Sequence, residues 1–456
     1  MLVKRARSIV LCETLASLLF GHLTADAELL AGAAKRSIAP PFPTHMGGFG
    51  DRTATFTGVH DDIFVRALVL DDGKKSLVLI GSDFMAIDGK MVALVRAEIE
   101  KATGIPAENI LVSCAHNHSA PSYYQIERRG ETKLPLRDFL VEQFAEVVVE
   151  AHEKRVPARI GFRTGTLEGA TRNRQQENKE VIDTQVGVLR VEELEGRKII
   201  AMLFNFTGHP VIVGSENLLL SGEYPGAACR AVEKLMGGVA IFTQGACGDV
   251  TVHRSGDPFL EVERVGRLVA GEVIKTAEFI RGAETVSLAA ASRTLELAPR
   301  SLPTVAEAQE AVDLGQAALK KAERSGANPE VQRQLRKKNQ LLSATLRYAK
   351  AFEKRAIEGR DKYDAEVQVL EVGDLIIVAV PCELFVEYAL EMRARIKQML
   401  GKETIVVGFA NGYIGYVVTP RAMETGGYEA SVTRVDSSAG RRMTETAMTL
   451  LVELTD

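Results

Sequence analysis

Asn109-Ile-Leu-Val-Ser-Cys-Ala-His116-Asn-His118-Ser-Ala-Pro121 is the stretch from which the rest of the chain is read. Its first half is short, aliphatic and closed by a Ser/Pro-containing loop, the pattern of a buried strand that ends at the histidines. An extended backbone continued through Asn117 would point His116 and His118 to the same side. Two neutral imidazoles at a strand mouth suit zinc. They equally suit a pair of hydrogen-bonded histidines beside a loop, and the motif alone does not choose between these readings.

Composition sets the frame. At 456 residues the chain has room for two or three average domains or for one large body with insertions. Hydrophobic residues at 46%, charged residues at 25% and a net charge of -4 are ordinary globular values, with no basic block for nucleic acid. Tryptophan is absent and aromatics make up 6%, which argues against a stacking platform and for a small-molecule partner. Lys4, Arg5 and Arg7, the apolar run Ser8 to Phe20 and the small-residue site Ala25-Asp-Ala27 have the layout of an export signal over residues 1–27, interrupted by Glu13. An amphipathic N-terminal helix is the alternative. No later segment carries the roughly 20 apolar residues of a membrane span, so the expectation is an exported (periplasmic or secreted) chain. Of the five cysteines, Cys114, Cys229, Cys247 and Cys382 lie beyond that signal. No Cys-x-x-Cys spacing occurs, and free buried thiols are expected.

Along the chain, strands and helices alternate. Strands are expected at Ala31–Ile38, Ile63–Leu70, Ser76–Ser82, Ile160–Thr166, Met202–Phe206, Glu366–Leu370, Leu375–Val380 and Ile405–Phe409, and helices over 87–103, 136–154 and 227–236. This is an α/β (α+β-like) pattern: one catalytic body over residues 28–456 with mixed β-sheets flanked by helices. Residues 304–357 differ. Thr304 with Glu307 makes a capping box, Asn328-Pro329 starts a second helix, and the outer faces are charged, so an inserted helical hairpin is expected. It would cap the substrate entrance or join subunits; the oligomeric state is not legible.

Polar groups recur at strand ends. Asp83 follows Leu77–Ile80 and reads as a partner to a metal histidine or as a helix N-cap. His209 stands in Thr207-Gly-His-Pro210, and Glu383 in Pro381-Cys-Glu, where it begins the next helix and can cap it or ligate a metal. Tyr413 and Tyr416 sit in Asn411-Gly-Tyr-Ile-Gly-Tyr-Val, readable as core tyrosines. Ala170-Thr-Arg172-Asn-Arg174 and its continuation to Asn178 read as a solvated loop. Thr243-Gln-Gly245-Ala-Cys-Gly-Asp249 offers glycine backbone N–H groups to developing negative charge, or is a plain tight turn. Two or three histidines with one carboxylate form the donor set of a hydrolytic zinc site.

These motifs resemble, in order from about Gly32 to Ala430, the neutral/alkaline ceramidases. His116-Asn-His-Ser-Ala-Pro is similar to that family's His-Thr-His-Ser-Gly-Pro, and Gly-His209-Pro to its second histidine motif. Pro-Cys-Glu383-Leu-Phe resembles its Pro-Gly-Glu-Phe, and Asn411 to Thr419 its Asn-x-Tyr-x-x-Tyr-x-Thr-Thr. The resemblance implies zinc held by His116, His209, Glu383 and Tyr416, an activated water as nucleophile, and His118 free to hydrogen-bond substrate or move a proton. It also implies substrate roles for Arg174 and Tyr428, each within a matching motif, and a lipid-like acyl amide such as ceramide as substrate. Two departures stand out. Gly245-Ala246 replaces the family's Ser-Asn in the substrate loop, although Gly248-Asp249 is kept, and the chain ends at Asp456 with no room for the carboxy-terminal β-sandwich of full ceramidases. A zinc hydrolase of another amide or ester, or a non-catalytic relative that binds a ligand in the same pocket, fits these departures too.

Overall fold

The computed structural model describes residues 28–50, 52–121, 123, 134–175 and 177–455; the expected export signal lies outside them. Two sheets pack face to face. The larger has eight strands in the spatial order Val239–Gln244, Ile199–Phe206, Gln185–Glu193, Val156–Thr166, Leu30–Ser37, Phe64–Asp71, Ser76–Ser82 and Ile110–Cys114. Its two edge strands pair in parallel with their neighbours, and the internal pairs are antiparallel. The smaller sheet orders Leu288–Leu297, Tyr363–Val372, Leu375–Ala379 and Glu403–Val407. The mixed, helix-flanked architecture expected from the sequence is the one observed.

Side-chain alternation along each strand builds four apolar clusters. Leu68, Leu70, Leu77, Leu79, Leu189 and Leu203 of the large sheet meet Leu370, Val372, Leu375, Ile377 and Ile405 of the small one. The intervening residues Ala67, Val69, Val78 and Ile80 point outward to helices Gly89–Thr103 and Leu134–Glu153. Val186, Val188, Met202 and Phe204 likewise meet helices Glu223–Met236 and Pro258–Glu278. Val367, Val369, Ile376 and Val378 of the small sheet pack on helices Val386–Leu400 and Ala439–Thr455. A period of two thus makes each strand a two-faced wall, giving helix, sheet, sheet and helix layers.

Residues 304–357 form the expected helical hairpin, Val305–Arg324 and Pro329–Ile357, started by the Thr304–Glu307 capping box and by Asn328. Asn339 donates to the Gly315 carbonyl at 3.0 Å, where any Cβ would collide with it, so Gly315 lets the two helices approach. The four cysteines beyond residue 27 are free and buried. Among the described residues, no helix is long and apolar enough to cross a membrane.

Two sequence expectations are corrected. Asp83 neither caps a helix nor touches a histidine: its Oδ1 pairs with buried Arg66 at 2.8 Å and its Oδ2 accepts the Phe64 N–H. A carboxylate so deep needs a cation, and the neighbouring strand supplies one. Glu383 does not begin a helix either. It sits in the two-residue strand Glu383–Leu384, paired with Tyr416–Val417, and the helix starts at Val386, whose N–H donates to Asp249 Oδ1 at 2.9 Å. Asp249 takes the capping role, which leaves the Glu383 carboxylate free to face elsewhere.

Candidate active site

The strand Ile110–Cys114 ends two residues before His116, whose backbone is left-handed (φ 61°). The two imidazoles therefore meet through a turn, not through continued strand alternation. A left-handed non-glycine backbone is costly and persists where surrounding structure enforces it. Here the His116 ring stacks on Phe409 at 4.0 Å, and Phe409 and Asn411 are left-handed as well. Asn411 Oδ1 accepts the Val112 N–H, which stitches the Ala410–Tyr416 loop to the histidine strand.

His116, His118 and His209 are buried, and one ligand nitrogen from each lies within 4.8 Å of the others. The ring protons can be assigned from the hydrogen bonds, because a carbonyl only accepts. His116 Nδ1 faces the Met85 carbonyl at 3.3 Å, and His209 Nδ1 faces that of Cys247 at 3.0 Å. Both rings thus carry a proton on Nδ1, which leaves Nε2 as the nitrogen whose lone pair can be offered inward. Glu383 Oε2 stands 3.4 Å from His116 Nε2 and 3.5 Å from His209 Nε2, is buried and has no hydrogen-bond partner. Its other oxygen accepts the Tyr413 hydroxyl at 2.5 Å. Burial acts to raise the Glu383 pKa, but attraction to His116 in its protonated form and the Tyr413 and Tyr416 hydroxyls outweigh it and hold the carboxyl below its ordinary value in the metal-free site. Burial, reinforced by Arg174 and His116, holds His209 well below the usual imidazole range, so the ring is neutral.

Nε2 of His116 and of His209 and one Glu383 oxygen therefore converge, and with both nitrogens deprotonated that donor set fits a divalent cation such as zinc. Backbone acceptors on the far nitrogens are the usual outer support of ligating histidines. His118 differs. Its Nε2 lies 3.2 Å from His116 Nε2, which makes it the proton-bearing nitrogen, and its Nδ1 is buried without a partner. It is placed by Arg52, which donates to its carbonyl at 2.8 Å, by Phe49 at 4.9 Å edge to face, and by Gly48, where a Cβ would fall on the imidazole. Burial with His116 and His209 nearby lowers its pKa well below the ordinary value.

Tyr416 is buried beside Glu383, and burial together with that carboxylate raises its phenol well above the usual range. Arg174 Nη2 is 3.5 Å from the Tyr416 hydroxyl, pairs with Glu429 at 3.0 Å and donates to the Gly248 carbonyl. The solvated loop expected at 170–178 is thus a site wall. Tyr428 stands at the mouth, 56% exposed, its ring 6.1 Å from Tyr416; burial of its hydroxyl end pushes the phenol to about 12. Gly245 and Asp249 lie deeper. A Cβ at Gly245 would sit 2.1 Å from Thr207 Oγ1, so the Thr207 side chain occupies the space a residue-245 side chain would need. Asp249 accepts from Asn173 Nδ2 at 2.8 Å and from Val386 N–H, and burial raises its carboxyl to about 6.

Three contributors escaped the sequence reading of the site: Tyr413, Glu429 and Lys337. Tyr413 lay within the motif around Tyr416, and its spacing held the only clue. Glu429 and Lys337 gave no local signal; Lys337, on helix Pro329–Ile357, lines the pocket outside Arg174 together with Arg421 and Tyr428.

The family model of the neutral/alkaline non-lysosomal ceramidases, N-terminal, matches residues 30–258. The chain is 27% identical over 243 residues to neutral ceramidase B of Dictyostelium discoideum, covering 46% of this chain and 34% of that protein. It is 22% identical to a neutral ceramidase of Mycobacterium tuberculosis, covering 85% of this chain and 71% of that protein. A crystal structure of neutral ceramidase from Pseudomonas aeruginosa superposes with a TM-score of 0.74 at 18% identity, covering 94% of this chain and 75% of that one. The matched region thus amounts to 34% and 35% of the two Dictyostelium relatives' lengths.

Proposed function

The chain belongs to the neutral/alkaline non-lysosomal ceramidase family, and from that premise we propose that it is a zinc-dependent hydrolase of an N-acyl amide bond, with an N-acylsphingosine as the reference substrate. The observation that carries the reading is the orphaned Glu383 Oε2, buried among the inward lone pairs of His116 and His209. His116, His209, Glu383 and Tyr416 would hold the metal. Bound there, zinc supplies Lewis acidity to water and to the scissile carbonyl.

The protein's own groups do the rest. His118, with its proton on the nitrogen facing the site, would hydrogen-bond the reacting amide or pass it a proton. Arg174, fixed by Glu429 and the Gly248 carbonyl, directs its guanidinium toward the Tyr416 hydroxyl, where it would steady negative charge on the former carbonyl oxygen. Tyr428 at the mouth would align the acyl amide over that point. The substrate-loop role expected for Gly245 and Asp249 reduces in this reading to support, since Asp249 ties Asn173, next to Arg174, to the start of the Val386 helix. Export would place the enzyme with extracellular or periplasmic substrates.

The test is metal analysis of gently purified protein alongside hydrolysis of N-acylsphingosines with and without chelator. Near-stoichiometric zinc, lost in His209→Ala and Glu383→Ala, and chelator-sensitive release of fatty acid are expected. Wild-type protein that carries no zinc and hydrolyses the panel equally well in chelator would overturn the reading.

A further inference from the structure

Arg174, Tyr428 and Glu429 of the site also line a cavity of about 560 Å³ walled by three segments. Arg174, Gln175, Glu177 and Asn178 form one side; Arg421 to Glu429 form the second; Lys337 of the inserted hairpin closes the third. The hairpin is held there: Arg300, just before it, donates to the Ala430 carbonyl, and helix Pro329–Ile357 packs against the short helix Tyr428–Val432. The apolar part of this wall comes from Ala422, Gly426, Gly427 and the Tyr428 ring rather than from branched aliphatic side chains, and charged groups stand around it. Its charges also do not cancel: Arg174 pairs with Glu429 and Arg421 with Glu177, each at 3.0 Å, while Lys337 has no ion pair among the described residues. Arg421 gives one nitrogen to Glu177, which leaves further guanidinium N–H groups for a second acceptor.

We propose that this cavity receives an anionic substituent, a carboxylate or a phosphate, carried by the N-acyl substrate, and that Lys337 is the specificity residue that reads it. The inference rests on the N-acyl hydrolase reading above and narrows it to a substrate class. It gives the inserted hairpin a role, because Lys337 is the one charged wall residue it contributes and the one left unpaired. Lys337 is exposed on its helix, so replacing it leaves the packing of the fold untouched.

The experiment compares substrates with one acyl chain and different head groups: N-lauroylglycine, N-lauroylphosphoethanolamine, neutral N-lauroylethanolamine and N-lauroylsphingosine. Equilibrium binding and kcat/KM are measured for wild type, Lys337→Gln, Lys337→Glu and the off-pocket control Lys338→Gln. Wild type is expected to prefer the anionic compounds over N-lauroylethanolamine by about five-fold, the scale of one partly screened charge pair, with the preference shrinking as salt is raised. Lys337→Gln should erase it through KM, Lys337→Glu should reverse it, and Lys338→Gln should keep it. The carboxylate and phosphate arms identify which anion fits. Equal binding of charged and neutral compounds, or a preference unchanged in Lys337→Gln, overturns the proposal. Anion-selective binding without turnover of any compound supports it while sinking the hydrolase reading, so the two fail separately.

Discussion

Replacing Glu383 by glutamine tests the metal centre by a route independent of activity. The substitution keeps shape and keeps Oε1 as acceptor for Tyr413, but turns Oε2, which now has no partner, into an NH2 group facing the His116 and His209 lone pairs. A buried polar atom without a partner costs about 1–3 kcal/mol, so the metal-free variant should be at least as stable as metal-free wild type. The metal-loaded proteins should differ the other way. Zinc at about a thousand times its Kd stabilises wild type by roughly 4 kcal/mol. With an unfolding entropy of about 2.1 cal/mol/K per residue over the whole chain, that is a Tm rise of about 4 °C. Glu383→Gln should lose nearly all of this rise, because a neutral amide that presents N–H groups is no ligand. Thermal melts of chelator-treated and zinc-repleted protein, with metal analysis of each sample, read both effects. His118→Ala is the control: it should retain zinc and the full Tm rise while turnover falls about 10²–10⁴-fold, the range of a lost general acid–base group. The reasoning fails if Glu383→Gln keeps the wild-type zinc shift, or if its metal-free form is clearly less stable than metal-free wild type.

Two further outcomes follow from buried groups around the centre. Glu223, left-handed at φ 54° and bonded to the Val213 and Tyr224 N–H groups with Arg254 nearby, is pushed by burial from 4.5 to about 7. The folded chain therefore holds a proton there that the unfolded chain releases, so stability falls as pH rises through that window and stays lower above it, by about 3 kcal/mol. Glu223→Gln should flatten this part of the pH–stability curve, as read from denaturant midpoints at pH 5 and pH 8; parallel wild-type and variant curves would refute it. Gly245→Ser, which restores the hydroxyl of the related loop, should destabilise the fold by about 1–3 kcal/mol, because its Cβ would fall 2.1 Å from Thr207 Oγ1. Adding Thr207→Ala should cost less than the sum of the two single changes, and strict additivity in urea midpoints would count against the clash.

Local pattern determined much of this protein. Period-two and period-3.6 apolar spacing located the strands around Ser76–Ser82 and Leu375–Ala379 and the hairpin at 304–357, because side-chain direction along one element depends only on that element's own geometry. The order of the His116, His209, Glu383 and Tyr416 motifs carried the family. The strands Gln185–Glu193 and Leu288–Leu297 and the helices Pro258–Glu278 and Ala439–Thr455 went unread, and so did the stacking of two sheets, since which faces meet is decided between segments far apart in the chain. The same holds within the site. Sequence placed Asp83 and Glu383 alike, each a carboxylate at a strand end. Tertiary packing separated them, giving Asp83 the buried Arg66 and leaving Glu383 Oε2 with only imidazole lone pairs to face. The family resemblance already set His116 apart from His118, and the folded chain gives the physical reason: a Met85 carbonyl holds the Nδ1 proton of His116, as that of Cys247 does for His209, while no acceptor reaches the far nitrogen of His118. A carboxylate or imidazole takes its role from what surrounds it once water is excluded, and those surroundings exist only after the long-range contacts have formed.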